Sequence, residues 1–269
     1  MAGVARATPR QIRLATINLL YYPQGDRWQE RRPLVETQLR SVAPDVIGLQ
    51  EVNRSIDQDY ALAASAGPQL EYRVFRASEA IRDRYPRHWD GVVLLVRRGT
   101  GEVTFHETRR LTYLRVIQAI GIRWPDGKTL TIANTHLHHP DGPPGYVARL
   151  RQARTILAFL EVLPSTDATV LGGDLNGLPD EPSLTSLFAA GFRSATREAG
   201  LGDPGTFGSG LVAPTIYRGP RLCIDYLLVR GSARVVSAGL AFDQPAADDA
   251  GLYPSDHLGL VADLEVSVG

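Results

Sequence analysis

The sequence predicts an α/β fold in which two packed β-sheets form a sandwich with helices on the outside. Short apolar, β-rich runs alternate with helical patterns along the whole chain. Several of these runs follow one another as a meander of hairpins, without the strict βαβ winding of a parallel sheet. No glycine-rich dinucleotide fingerprint follows any of them. Meanders mixed with helices favour two packed sheets over a Rossmann layer.

The amino-terminal half begins with a strand at residues 12–18. A helix is predicted from about Arg32, with Pro33 in its first turn, where a missing N–H costs little. Turn residues at 124–127 separate the last two of the strands that follow. These strands are predicted at residues 46–50, 72–76, 92–97, 103–111, 116–123 and 129–136.

The carboxy-terminal half contains the clearest helical pattern, at residues 145–163. Apolar residues recur there at helical spacing; they are Val147, Leu150, Ala153, Leu157 and Leu160. The residues largely off this stripe are predicted to form a solvated face; they are Arg149, Arg151, Gln152 and Arg154. A strand from residue 169 runs into Gly172-Gly173-Asp174. The remaining elements are a short helix at 182–190 and strands at 224–229, 234–242 and 257–266.

Length and composition are those of a globular protein with a sizeable core. The chain has 269 residues, of which 43% are apolar and 22% charged. One domain is expected, with a tail at residues 1–10 and a single folded domain at 11–269. The 29 basic and 29 acidic residues create no global positive field for nucleic acid or membranes. A small-molecule partner is therefore favoured, and nucleic acid remains an alternative.

The chain shows no sign of secretion or of membrane insertion. Its start lacks the apolar core of a signal peptide, and no run is long enough to span a bilayer. Cys223, the single cysteine, lies in an apolar run and is expected to be buried and unpaired. These features predict a cytoplasmic location, and a monomer is the default expectation.

One predicted strand after another ends in a carboxylate, an amide or an imidazole. The residues in this pattern are Asn18, Glu51, His136, Asp174, Asn176 and Asp225, and Asp256 and His257 stand just before the last strand. Strand ends hold side chains rigidly and leave room for a ligand. Oxygen donors without a cysteine or histidine cluster favour Mg²⁺ or Mn²⁺ over zinc, and Glu51 is the leading ligand.

Rival catalytic motifs are absent from the sequence. Residues 127–129 would need a glycine at Ile122 to form a phosphate-binding P-loop. Neither a Gly-x-Ser-x-Gly elbow nor a His-Glu-x-x-His helix occurs. Serine hydrolases and zinc proteases are therefore disfavoured.

Six segments in order resemble the endonuclease/exonuclease/phosphatase superfamily, whose fold is deoxyribonuclease-like. They lie at residues 15–18, 45–52, 134–137, 173–176, 224–226 and 255–257. The resemblance implies a four-layer α/β/β/α sandwich with two mixed, mainly antiparallel sheets and a site where their loops meet. It further implies in-line attack of water on phosphorus, assisted by a divalent cation.

The resemblance also implies a role for each polar strand end. Metal contacts are implied for Glu51, Asn18 and Asp256. Catalytic roles are implied for His136, Asp174, Asn176, Asp225, His257 and Asp90. Asp174 would activate the water, Asp225 would fix the ring of His257, and Asp90 would pair with His136.

Three functions remain open from the sequence. The first is a phosphodiesterase or phosphatase for a small molecule, a nucleotide or a lipid head group. The second is a DNA or RNA nuclease with the same catalytic residues, and the third is a phosphate-binding scaffold. His138 and His139 are interpreted as loop surface, and the basic stretch at 82–88 as a solvated loop. The loop at 202–210 is interpreted as a flexible connection or as the mouth of the site.

Overall fold

The computed structural model describes residues 10–21, 25–77, 90–212 and 219–267. The strands of these ranges are β1 (Arg10–Asn18), β2 (Val46–Asn53), β3 (Tyr72–Arg76), β4 (Asp90–Arg97), β5 (Glu102–Arg110), β6 (Val116–Arg123), β7 (Thr129–His136), β8 (Ala168–Asp174), β9 (Arg193–Ser194), β10 (Asp225–Gly231), β11 (Ala233–Ala241) and β12 (Gly259–Val266). The helices are α1 (Trp28–Val42), α2 (Gln58–Ser65), α3 (Gly142–Glu161), α4 (Pro182–Ala189) and α5 (Ala195–Glu198), with a 3₁₀ turn at Arg54–Ile56.

The strands form two sheets of six strands each. The first sheet has the order β11-β12-β1-β2-β4-β3, and the second has the order β5-β6-β7-β8-β10-β9. In each sheet the third and fourth strands are parallel, whereas the remaining neighbours are antiparallel. The prediction of two mixed, mainly antiparallel sheets is confirmed.

Three apolar clusters fill the spaces between the layers. The cluster between the sheets includes Leu14, Val46, Ile132, Val170 and Leu227. A second cluster packs α1 and α2 against the first sheet through residues such as Val35, Leu39 and Leu62. The third packs α3 and α4 against the second sheet through residues such as Ile156, Phe159 and Leu184. The predicted four-layer α/β/β/α sandwich is therefore confirmed, and none of the described helices is long and apolar enough to cross a bilayer.

Helix α1 begins earlier than predicted. Its first residue is Trp28, whose N–H donates to Asp26 Oδ1 at 3.0 Å. Pro33 consequently lies in the second turn and not the first. Pro33 is exposed, so water can donate a hydrogen bond to the helix carbonyl that the missing N–H leaves without a partner.

The predicted faces of α3 are partly wrong. Val147, assigned to the apolar stripe, is 49% exposed, whereas Arg149 and Gln152, assigned to the solvated face, are buried. Arg149 is buried because Glu181 neutralises its charge from a distance of 2.6 Å. Periodicity cannot detect such a residue, since it counts every arginine as a surface residue.

Candidate active site

The polar strand ends predicted from the sequence converge at one end of the sandwich. The first sheet and the segment before β12 supply Asn18, Glu51, Asp256 and His257. The second sheet and the turn after β8 supply His136, Asp174, Asn176 and Asp225. The site therefore contains side chains from both sheets.

Three of these residues occupy one rung of the second sheet. Asp174 on β8 is the register partner of His136 on β7 and also of Asp225 on β10. Paired residues on neighbouring strands project from the same face. Gly173 lets the strands approach here, since a Cβ atom at this position would lie 2.0 Å from Thr135 O.

Glu51 is directed into the site by a β-bulge. The register between β2 and β4 shifts between Leu49 and Val52, and Glu51 has a left-handed backbone with φ of 52°. Bulges redirect side chains in this way. Glu51 Oε2 accepts from Tyr21 N at 2.8 Å, and the side chain is 22% exposed, so it remains open to a ligand.

Asn18 joins one carboxylate of each sheet. Its Nδ2 atom donates to Glu51 Oε1 and to Asp174 Oδ2, both at 3.0 Å. Its Oδ1 atom accepts from Leu20 N at 2.9 Å. The amide nitrogen of Asn18 therefore faces the two acids, while its oxygen is used by the backbone.

Asp174 lies at the centre of the group. Its Oδ2 atom is 3.4 Å from His136 Nε2 and 3.8 Å from His257 Nε2. Its Oδ1 atom accepts from Asn176 N at 2.9 Å, which closes a turn of the Asx type. Burial, and next the charge of Asp225, raises the pKa of Asp174 to about 7.

His257 is held by the aspartate that the sequence assigns to it. Its Nδ1 atom lies 2.8 Å from Asp225 Oδ2, which leaves Nε2 directed toward Asp174. Burial by itself would lower the pKa of His257, but the charge and hydrogen bond of Asp225 raise it well above its ordinary value. The contact with Asp225 therefore favours the protonated form of His257, in which Nε2 is a donor.

His136 has a partner that the sequence analysis does not name. Its Nδ1 atom lies 3.1 Å from Arg115 Nη1. Arginine only donates, so Nδ1 accepts and the proton of the neutral ring is on Nε2. Burial, followed by the charge of Arg115, lowers the pKa of His136. Asp90 begins β4 opposite Asn53, and its side chain lies outside the described residues.

The loop at 202–210 is more ordered than the flexible connection predicted from its glycines. Thr206 Oγ1 accepts from Asp225 N at 3.2 Å, and Gly208 N and Ser209 N both donate to Asp256 O. The Phe207 ring packs against His257 with centroids 4.9 Å apart. This loop therefore supports the residues that hold and orient His257. The basic cluster at 82–88 lies outside the described residues.

The donor set of the site suits a hard divalent cation. Burial, and next the charge of Asp256, raises the pKa of Glu51. Arg31 lies nearby, but its N–H groups donate to backbone carbonyls. Asp174, Asp225 and His257 also form a buried group whose ligand atoms lie within 4.8 Å of one another. Within that trio, His257 Nδ1 and Asp225 Oδ2 already contact each other.

Residues 15–257 match the sequence model of the Endonuclease/Exonuclease/phosphatase family. The chain belongs to this family. Members of the family are hydrolases that act on phosphoesters. The resemblance drawn from the six segments is therefore confirmed.

Individual relatives agree with this assignment. Nocturnin of Drosophila melanogaster is 26% identical over 282 residues, which cover 89% of this chain and 42% of the relative. The chain thus spans less than half the length of this curated relative. The endonuclease/exonuclease/phosphatase from Bacteroides vulgatus is 23% identical with a TM-score of 0.77, covering 96% of this chain and 100% of that one. The human Nocturnin catalytic domain with bound sulfate is 23% identical with a TM-score of 0.75, covering 97% of each chain. These two structures show the shared fold.

Proposed function

We propose that this protein is a divalent-metal-dependent phosphoester hydrolase that acts on a small-molecule, nucleotide or lipid-type substrate. One observation supports the proposal above the others. Asp174 Oδ2 lies within 4 Å of three donors, at 3.0 Å from Asn18 Nδ2, 3.4 Å from His136 Nε2 and 3.8 Å from His257 Nε2. An acid surrounded by donors is suited to orient a water against a phosphoryl group.

Side chains supplied by both sheets take part in the proposed reaction. Glu51 and Asp256 would hold Mg²⁺ or Mn²⁺, with Asn18 fixing Glu51 beside it, and this ion would neutralise charge on the phosphoryl group. Asp174 would take the proton of the attacking water, and Asn176 would hold that water or the phosphate. His136 and His257 would donate to phosphoryl oxygens through Nε2. The ester bond to the leaving oxygen then breaks, and solvent protonates that oxygen.

The substitution Asp174→Asn tests the proposal. We expect it to lower kcat by at least about 10²-fold, the usual contribution of a positioned acid–base group. The substrates are bis(p-nitrophenyl) phosphate, p-nitrophenyl phosphate and a lipid phosphodiester, each with Mg²⁺, with Mn²⁺ and with excess chelator. Asp180→Asn is the matched control, because Asp180 is an exposed acid a few residues away. Chelator-resistant turnover, or full turnover by folded Asp174→Asn protein, would refute the proposal.

A further inference from the structure

Two aromatic side chains near the site form a parallel stack at the surface. The rings of Tyr113 and His138 have centroids 4.1 Å apart and planes 15° apart. Tyr113 is 56% exposed although His138 covers one face of its ring, so the other face is open to a ligand. We refer to Tyr113 and His138 as the aromatic pair.

A buried glutamine holds the two backbone segments that carry the aromatic pair. Gln152 on α3 is fully buried, and its Oε1 atom accepts from His138 N at 3.0 Å. Its Nε2 atom donates to Thr112 O at 2.8 Å. One side chain thus ties together the two backbone segments that carry the rings. Tyr113 and Leu114 also adopt left-handed conformations, with φ of 57° and 60°, which unrestrained residues rarely populate.

The same two segments reach the catalytic group two residues away. Arg115 follows Tyr113, His136 precedes His138, and Arg115 Nη1 lies 3.1 Å from His136 Nδ1. The aromatic pair is therefore fixed beside the histidine to which the proposed function assigns a phosphoryl contact. A group attached to that phosphoryl would come within reach of the pair.

We propose that the aromatic pair stacks a nucleobase, so that the substrate of this enzyme is a nucleoside phosphoester. The inference rests on the proposed function and names its substrate class. An open ring face favours a planar aromatic group over a flexible acyl chain, because bases stack on aromatic rings in any sequence context. A single pair fits one base, and the 29 basic and 29 acidic residues provide no general field for a long polyanion.

Two esters with the same leaving group test the proposal. They are thymidine 5′-(p-nitrophenyl phosphate) and methyl p-nitrophenyl phosphate, which differ only in the nucleoside. We expect Tyr113→Leu to raise KM for the thymidine ester about tenfold, the loss of one base–aromatic stack, and to leave the methyl ester unchanged. Tyr113→Phe retains the ring and should retain the low KM. An equal change for both esters, or no change for either, would overturn the proposal.

Binding provides a readout that does not require hydrolysis. Calorimetry of adenosine 5′-monophosphate should show binding to the wild type and to the Asp180→Asn control, and about tenfold weaker binding to Tyr113→Leu. Failure to hydrolyse either ester, with this binding pattern intact, would count against the proposed function and support the aromatic pair. Equal binding by all three proteins would overturn the proposal that the aromatic pair stacks a nucleobase. A strong preference for oligothymidylate that grows at low salt would overturn the assignment to a single nucleotide.

Discussion

The two parallel strand pairs of the molecule, β1–α1–β2 and β7–α3–β8, share a design down to individual hydrogen bonds. Each pair occupies the third and fourth positions of its six-stranded sheet. An aspartate before the second strand accepts an N–H from the first: Asp45 from Arg13 and Asp167 from Thr129, both at 2.8 Å. The scaffold is thus repeated, although the sequence shows no internal repeat.

The pairs differ in how their crossover helices bind the loops of the site. Arg31 on α1 donates to the carbonyls of Leu19 and Pro254 at 2.9 and 2.6 Å, and its nearest carboxylate contact is Asp26 at 3.7 Å. Arg149 on α3 forms a two-pronged ion pair with Glu181 at 2.6 and 2.9 Å. Both buried arginines donate to loop carbonyls, which for Arg149 are those of His138 and Pro140. Because Arg149 adds a close carboxylate, the acidic partners of the two arginines should tolerate mutation differently.

The equivalent asparagines show how one scaffold serves two purposes. Asn18 follows Arg13, and Asn134 follows Thr129, by the same number of residues. Asn18 joins Glu51 and Asp174 of the candidate site, whereas Asn134 Nδ2 donates to Leu49 O and Val93 O at 3.0 and 2.9 Å. Asn134 Oδ1 accepts from Gln50 Nε2 at 2.7 Å. One asparagine therefore joins two carboxylates of the candidate site, and the other fastens the sheets.

The largest effect should follow removal of the Glu181 carboxylate. Glu181→Leu leaves Arg149 charged and buried, which should lower the free energy of unfolding by about 3–5 kcal/mol. The double variant Arg149→Met/Glu181→Leu should recover most of this loss, because no uncompensated charge remains. Urea denaturation of the single and double variants measures both values.

The matched change in the other half is Asp26→Asn. The asparagine oxygen can still accept from Trp28 N, and Arg31 keeps its carbonyl acceptors, so the loss should stay below about 1 kcal/mol. Equal losses for Glu181→Leu and Asp26→Asn would show that the two arginines depend on carboxylates alike, and the contrast drawn above would fail.

The two aspartates that accept strand N–H groups should contribute equally to the free energy of unfolding. Asp45→Ala and Asp167→Ala should each cost about 2 kcal/mol, because each leaves a backbone N–H without its charged acceptor. Asp45 also contacts Arg97, and Asp167 also accepts from Thr129 Oγ1. The losses should add in the double variant, since the sites are independent. A difference above about 1 kcal/mol in urea denaturation would break the structural equivalence.

A further predicted effect concerns the contact between the sheets. A Cβ atom at Gly48 would lie 2.9 Å from the Asn134 amide, so Gly48→Ala should cost about 1–2 kcal/mol by displacing that amide. Gly172→Ala is the control, because its Cβ atom would meet only the flexible Leu227 side chain, at 3.0 Å. Thermal denaturation should rank Gly48→Ala below Gly172→Ala, and the reverse order would mean that the Asn134 contact does not fasten the sheets.

The sequence predicts the fold and most of the converging residues because strand ends are visible as polar residues after apolar runs. Strands β3, β6 and β7 occur at the predicted residues. The sequence does not predict β9 and α5, because they contain too few residues for a period. It also does not predict α2, although α4 has the same length of eight residues and is predicted. The roles assigned to the individual site residues stay predictions.

Other features depend on contacts that no local pattern records. Arg115 reaches His136 only because a turn with two left-handed residues brings it there. Arg31 and Arg149 are buried because carbonyls and a carboxylate from distant segments surround them. Composition predicts that all three arginines are surface charges, and only the long-range packing of the chain shows their contacts.

The shared rung of His136, Asp174 and Asp225 separates the proposed reaction from the proposed recognition of substrate. Neighbouring strands lie about 4.8 Å apart, and this sheet spacing, not the length of any loop, sets the distances among the three residues. The loops that carry Tyr113 and His138 can therefore change in length and sequence around a constant reaction centre. Exchange of these two loops between family members would be a direct route to new selectivity without redesign of the chemistry.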